Sequence, residues 1–331
     1  MDAIHILGAG GIGCAVGYAL RAAGQSVLFV DANPAKVDAG NRDGVRVDDR
    51  PALQAPFIHF DAWHPHPGTL TLLCTKCYDN AAVLAKVPSG VQLVPIQNGF
   101  DTRLNEFGHT FEGIASFVSE CEKDRPHTRI TRRGELHLGR RSGEGSLTPP
   151  APFPKAEGGA RRPLFRVIHV PNIEPIKYTK LMYNAAISPI AAAAGIDNGQ
   201  LLSVPNTRKL FFALLQENYR ILRAAGIELG KVGPFHPRVV AWILRRKWLA
   251  RVIAKFFEPS LRGTYCSMAG EIQKGRTEID NYNGHLIRLA ERAGLSCPLN
   301  RAVHDLVVKM TTAHEEPTRD ALSPLLRAVS A

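Results

Sequence analysis

Two sets of residues in this chain have the types and the spacing to carry a reaction. The first is Gly8, Gly10, Gly11, Ile12 and Gly13, a Gly-x-Gly-x-x-Gly run entered directly from the apolar stretch Ala3-Ile-His-Ile-Leu7. Glycine at 8 permits a sharp turn out of a strand, glycine at 10 admits a pyrophosphate against the backbone, and glycine at 13 lets the next helix sit close to the sheet. The phosphates then rest on the positive end of that helix. Residues 15–23 read as the helix, Gly24 stops it, and 26–30 read as a second strand delivering Asp31. A carboxylate in that place accepts both ribose hydroxyls and repels a 2′-phosphate, which favours NADH.

The second set is Lys180, Asn184 and Ser188. Each four-residue step rotates a helix by only about 40°, so the three share one gently winding stripe on an otherwise apolar helix, with Pro189 beside the last of them. Such a stripe faces water, a partner helix or a ligand. Two further segments join it. Gln97-Asn98-Gly99 follows a strand ending at Pro95, where open parallel sheets hold their ligands, although Asn-Gly is also an everyday turn. Ser267-Met268 precedes Gly275-Arg-Thr-Glu-Ile-Asp280 and Asn283-Gly284. There Thr277 reads as an N-cap, which puts Glu278 in the first turn of a helix running to about Arg292, as a ligand or as a capping carboxylate.

These residues need a particular scaffold. Residues 57–60, 70–74 and 91–95 read as strands alternating with helical stretches, which predicts a parallel sheet covered by helices. Residues 113–119, 129–133, 135–139 and 168–170 read as strands of an antiparallel extension, with an exposed Gly/Pro/Ser-rich loop at 141–163. From Glu174 the pattern turns helical. The expected fold is α/β, with an N-terminal dinucleotide-binding Rossmann-type domain over 1–172 and a C-terminal all-helical domain carrying the substrate and catalytic residues over 173–331.

Composition narrows the function further. With 331 residues, 45% of them hydrophobic, the chain can fill two cores. No apolar stretch is long enough to span a membrane, and the amino-terminal stretch shows no charged-then-apolar pattern, so a cytoplasmic location is expected. Six scattered cysteines suit reduced thiols, and the Cys74-x-x-Cys77 pair lacks the second pair or His cluster of a zinc site, so no metal is expected. The formal charge of +11 is partly local to 236–262, where Arg245, Arg246, Lys247 and Arg251 interleave with Trp242, Trp248, Phe256 and Phe257. That segment reads as a solvated helix packed in the second domain, with neither nucleic acid nor membrane as its partner. Net positive charge also concentrates an anionic cofactor and an anionic acid substrate near the protein.

In order and spacing the segments together resemble the ketopantoate reductase family, from Ala3 to about Leu306. The likeness rests on Gly8 to Gly13, Thr75-Lys76, Gln97-Asn98-Gly99, the helix from Lys180 to Asn184, and Ser267-Met268 with Gly275 to Asp280. It implies reduction of 2-dehydropantoate to pantoate by a nicotinamide cofactor held between the two domains, and a homodimer. By position it makes Lys180 the general acid, gives Asn98 contacts to nicotinamide and substrate, and sets Asn184, Ser267 and Glu278 on the substrate's carboxylate and hydroxyl groups. Ser188 stands where many members carry Asn, and the spacing from Ser267 to Glu278 is one residue shorter than in many relatives. The family habit is NADPH, with Lys76 on the phosphate side, which pulls against Asp31. Partial burial and the neighbouring Lys177 are expected to lower the Lys180 pKa from its reference of about 10.4. A relative acting on another carbonyl compound and a non-catalytic nicotinamide sensor are the alternative readings.

Overall fold

Ile4, Ile6 and Leu7 send apolar side chains to both sides of the first strand and all are buried, as in a strand with cover above and below. The computed structural model describes residues 2–141 and 163–330. The chain divides into two units, Met1–Gln97 with Asp101–Ile173, and Asn98–Phe100 with Glu174–Ala331. In the first unit the strands are β1 (Ile4–Leu7), β2 (Val27–Asp31), the two-residue β3 (Arg46–Val47), β4 (Phe57–His59), β5 (Leu70–Leu73) and β6 (Gln92–Pro95). Five of them form an all-parallel sheet in the order β4-β2-β1-β5-β6. Helices α1 (Gly11–Ala22), α2 (Pro34–Asp43) and α3 (Asn80–Leu84) lie between these strands in the chain, and α4 (Thr102–Phe107) follows β6. The chain winds outward from β1 in both directions, so the strand order reverses between β1 and β5. That reversal opens a crevice outside the carboxyl ends of these two strands, which is where the glycine run lies.

The extension is mixed rather than antiparallel. It comprises β7 (Phe111–Ala115), β8 (Val118–Cys121), β9 (His127–Arg132), β10 (Glu135–Arg140) and β11 (Arg166–Asn172), arranged with β3 as two three-stranded sheets, β11-β10-β7 and β3-β9-β8. Pairs β10/β7 and β8/β9 are antiparallel, but β11 runs parallel to β10 and β3 parallel to β9. Only tight turns force antiparallel pairing, and β11 is reached through the long 141–165 connection. The expected strand at 113–119 breaks at Ser116, whose N–H and hydroxyl both bond the Glu135 carbonyl. Except for its two end residues, the loop expected at 141–163 lies outside the described residues.

The second unit contains α5 (Glu174–Ala194), α6 (Asn198–Ser203), α7 (Pro205–Ala224), α8 (Pro237–Leu244), α9 (Lys247–Phe257), α10 (His285–Arg292), α11 (Pro298–Thr312) and α12 (Ser323–Ser330). Among the described residues no strand follows β11. Pro189 interrupts α5 and has no N–H for the Ala185 carbonyl; Asn283 donates to that carbonyl instead, at 2.9 Å. Thr277 does not cap a helix, contrary to the expectation above. The helix opens on a π-helical turn at Asp280–Gly284, and the Glu278 carbonyl accepts from the N–H groups of Asn281 and Tyr282. Glu278 is therefore the residue before the helix rather than a member of its first turn.

Helices α8 and α9 also differ from the packed, solvated helix read from the sequence. Helix α9 buries its small residues Ala250 and Ala254, and small residues allow a close approach. Its large apolar residues Trp248 and Phe256 are 68% and 77% exposed, as is half of Trp242 on α8. Among the described residues no helix is long and apolar enough to cross a membrane, and none of the six cysteines, all of them described, forms a disulfide.

Candidate active site

Gly8 follows β1 with φ at +94°, a conformation that L side chains rarely adopt, and a Cβ there would meet the Thr75 backbone nitrogen at 2.9 Å. Gly13, Gly11 and Ile12 form the first turn of α1; a Cβ at Gly13 would stand 1.9 Å from the Gly8 carbonyl oxygen. Gly10 caps that helix and differs from both, because nothing lies within 4 Å of where its Cβ would be. No side chain caps the helix and no acidic residue occupies its first turn. The arrangement offers unclaimed backbone N–H groups, the positive end of a helix dipole and open space above Gly10, which fits a dinucleotide pyrophosphate.

Asp31 closes β2 beside this turn. Its Oδ2 accepts the Ala9 N–H at 2.8 Å and its Oδ1 accepts the Asn33 N–H at 2.9 Å, so two backbone donors fix the carboxylate and each oxygen keeps a lone pair for a ribose hydroxyl. Lys76 is half-buried just past the carboxyl end of β5. Sequence reasoning missed Lys36. This buried α2 residue reaches back under the glycine turn, and its Nζ donates to the Ala9 carbonyl at 3.2 Å. Ala9 is thus held from both sides, its N–H by Asp31 and its carbonyl by Lys36.

Gln97, 3% exposed, ends the sheet side of the Gln-Asn-Gly segment. Its amide nitrogen donates to the Thr75 carbonyl at 2.9 Å and to Asn80 Oδ1 at 2.8 Å. Asn80 returns a bond to Gln97 Oε1 and donates to Asp101 Oδ2. Gln97 is a positioning residue, and Asn98, half-buried, is the first residue of the segment that belongs to the helical unit. Phe100 anchors that segment. Its N–H and carbonyl pair with Asn281, and its ring stacks on Tyr178 and His285 at centroid distances of 4.4 and 4.5 Å. Buried Lys177 places its ammonium 4.5 Å from the same ring, a cation–π contact.

On α5 the stripe sinks into the unit, Lys180 and Asn184 half-buried and Ser188 only 2% exposed. Cys266 donates to the Ser188 carbonyl at 3.4 Å, which brings Ser267 alongside that end of the stripe. Ser267 Oγ lies 3.0 Å from Tyr282 Oη, and Tyr282 Oη donates to Glu278 Oε2 at 3.3 Å. Tyr282 is fully buried and links the two predicted substrate residues. An aromatic in mid-helix reads as core from sequence, so it gave no signal of this bridging role.

The His285 ring has a testable consequence for stability. Burial pushes its pKa down from 6.5 to about 3, with the charges of Arg288, Arg292 and Lys177 adding to the effect. Between these two values the unfolded chain binds a proton that the folded chain refuses, so stability is complete above pH 6.5 and falls as the pH drops toward 3. Urea titrations at pH 7 and pH 5 are expected to show an acid loss smaller by about 2 kcal/mol in His285→Phe than in the parent. An equal acid loss in both proteins would mean that His285 titrates normally.

The family model described as ketopantoate reductase PanE/ApbA matches residues 4–143, and the model for the C terminal part of the same family matches residues 172–311. The 2-dehydropantoate 2-reductase of Archaeoglobus fulgidus is 26% identical over 314 residues, covering 92% of this chain and 96% of that protein. Among solved structures, the PanE/ApbA family ketopantoate reductase from Ralstonia eutropha JMP134 superposes with a TM-score of 0.71 at 22% identity, covering 95% of this chain and 99% of the other. D-mandelate dehydrogenase bound to NADH and anilino(oxo)acetate does so with a TM-score of 0.72 at 18% identity, with the same coverage.

Proposed function

This chain belongs to the ketopantoate reductase family of nicotinamide-dependent oxidoreductases, and from that premise we propose that it reduces 2-dehydropantoate, or a 2-oxo acid of similar shape, to the 2-hydroxy acid. The observation that carries the reading is the grouping in one helical unit of the Lys180–Asn184–Ser188 stripe with the hydrogen-bonded set Ser267, Tyr282 and Glu278. When bound, the reduced nicotinamide supplies hydride to the ketone carbon. The carbonyl oxygen gains negative charge as this happens, and the Lys180 ammonium stabilises that charge and donates the proton that completes the hydroxyl. Asn98 holds nicotinamide and substrate in register, Asn184 and Ser267 take the carboxylate, and Glu278, oriented by Tyr282, faces the substrate's hydroxyl end. The backbone from Gly10 to Gly13 holds the pyrophosphate and Asp31 the ribose.

A related carbonyl substrate is the second reading, supported by Ser188. Its short buried side chain leaves more room than the Asn that many members carry there. The test is a spectrophotometric screen of 2-oxo acids, ketopantoate and bulkier aryl acids among them, following loss of reduced nicotinamide. No turnover of any 2-oxo acid would defeat the first reading and confine the second to carbonyl compounds outside that class.

For the cofactor, the reading is NADH, because the fixed Asp31 carboxylate would stand against a 2′-phosphate. A Michaelis constant for NADH lower than that for NADPH by about tenfold or more is expected, since like charges brought together cost several kcal/mol. Asp31→Asn is expected to narrow the gap. A strong preference for NADPH would mean that Asp31 does not meet the ribose and that Lys76 governs the choice.

A further inference from the structure

Under the glycine turn three groups converge on the carbonyl oxygen of Ala9: the Cys14 thiol at 3.2 Å, Lys36 Nζ at 3.2 Å and Cys121 Sγ at 3.6 Å. Cys14 lies on α1, one turn past the phosphate-binding N–H groups, and Cys121 ends β8. The two thiols share the Ala9 carbonyl as a neighbour, and Lys36 Nζ also donates to Cys121 Sγ at 3.8 Å. Cys14 is fully buried, whereas Cys121 is partly exposed at the start of the open turn 122–125. An ammonium, a second thiol and partial access together make the surroundings of an oxidant-sensitive cysteine.

We propose that Cys14 and Cys121 form a peroxide-sensitive thiol pair whose disulfide weakens dinucleotide binding at the adjoining glycine turn. The neighbouring Cys14 thiol holds the Cys121 thiol down, to about 6, against the opposing effect of burial and with help from Lys36, while Cys14 itself is pushed well above the usual range by Cys121 and by burial. Cys121 is thus the attacking thiolate and Cys14 the resolving thiol. The Cys121 thiolate attacks one oxygen of a hydroperoxide. The S–O bond forms, the O–O bond breaks, and the departing alkoxide or hydroxide takes a proton, leaving a sulfenic acid and an alcohol or water. Cys14 then attacks the Cys121 sulfur, the S–S bond forms, the S–O bond breaks, and the hydroxide leaves with the Cys14 proton as water. Two thiols and one hydroperoxide thereby become one disulfide, one alcohol or water, and one water.

Oxidation removes the donor that Cys14 gives to the Ala9 carbonyl and takes the Cys121 thiolate from beside the buried Lys36. The turn that carries the pyrophosphate loses part of its support on the side away from the ligand. This effect rests on the nicotinamide cofactor of the reading above; the thiol chemistry does not.

The experiment treats the purified full chain with hydrogen peroxide, maps its peptides by mass spectrometry, and measures NADH and NADPH dissociation constants before and after reduction by dithiothreitol. The expected results are a reversible Cys14–Cys121 cross-link and affinity about tenfold weaker in the oxidised form. By reciprocity, saturating dinucleotide, which binds the reduced form more tightly, should raise the midpoint potential of the pair by about 30 mV, which a merely structural pair would not do. Cys14→Ser should stop at a Cys121 sulfenic acid trapped by dimedone, and Cys121→Ser should leave Cys14 unoxidised. A folded parent that yields no Cys14–Cys121 cross-link, or a cross-linked form that binds dinucleotide as tightly as the reduced one, overturns the proposal. If the reduced chain binds neither dinucleotide, the reductase reading and the proposed effect on binding fail together, while the peptide map separately decides whether the thiol pair exists.

Discussion

Lys180→Ala is expected to lower kcat by about 10² to 10⁴-fold, the range for removing a positioned general acid, with a much smaller change in the NADH dissociation constant. The reasoning starts from the ketone: without a proton and a nearby positive charge, hydride addition leaves an alkoxide that the site must carry unaided. Lys180 is half-buried on a long helix whose core contacts come from Leu181, Met182 and Ala185, so truncating it leaves those contacts in place. Lys180→Arg separates charge from proton donation. Arginine keeps the positive charge but does not give up a proton near neutral pH, so this variant should recover substrate KM more than kcat. A Lys180→Ala enzyme that turns over at near-parental rates would remove Lys180 from the role.

The elements and residues that the sequence discloses are those whose signal is local. The glycine run, the helix after it and Asp31 follow one another within 24 positions, each with its own steric or charge requirement, and the parallel sheet comes from alternating apolar runs. The stripe on α5 is equally local, because helical periodicity alone sets it. What escaped detection depends on distant pairing. Lys36 meets Cys121 across 85 positions, and in sequence it is one more lysine on a short polar helix. Tyr282 acquires its role only when the fold sets Ser267 beside it. The direction of β11 depends on a long connection that carries no directional code, and the π-helical start of the helix after Glu278 has no sequence pattern to announce it. Exposure of Trp248 and Phe256 escaped for a related reason, since periodicity gives the faces of α9 but not which face the rest of the unit covers.

Gly10→Ala and Gly13→Ala should part company although they are three residues apart. A methyl group at Gly10 meets nothing within 4 Å, and the φ there, −83°, suits alanine, so the variant should fold with an unchanged Tm. The same methyl group occupies the space that the pyrophosphate needs. Overpacking of about 1–3 kcal/mol then appears only in the complex, weakening NADH binding by about ten- to a hundredfold. At Gly13 the methyl group stands 1.9 Å from the Gly8 carbonyl oxygen, a backbone atom that cannot rotate aside, so α1 must move off the end of β1 whether or not cofactor is present. Gly13→Ala should therefore lose thermal stability and dinucleotide affinity together. Thermal melts and NADH titrations of the two variants in parallel decide the matter. If Gly10→Ala binds NADH as the parent does, the pyrophosphate does not lie over this turn, and the helix N-terminus loses its assigned task.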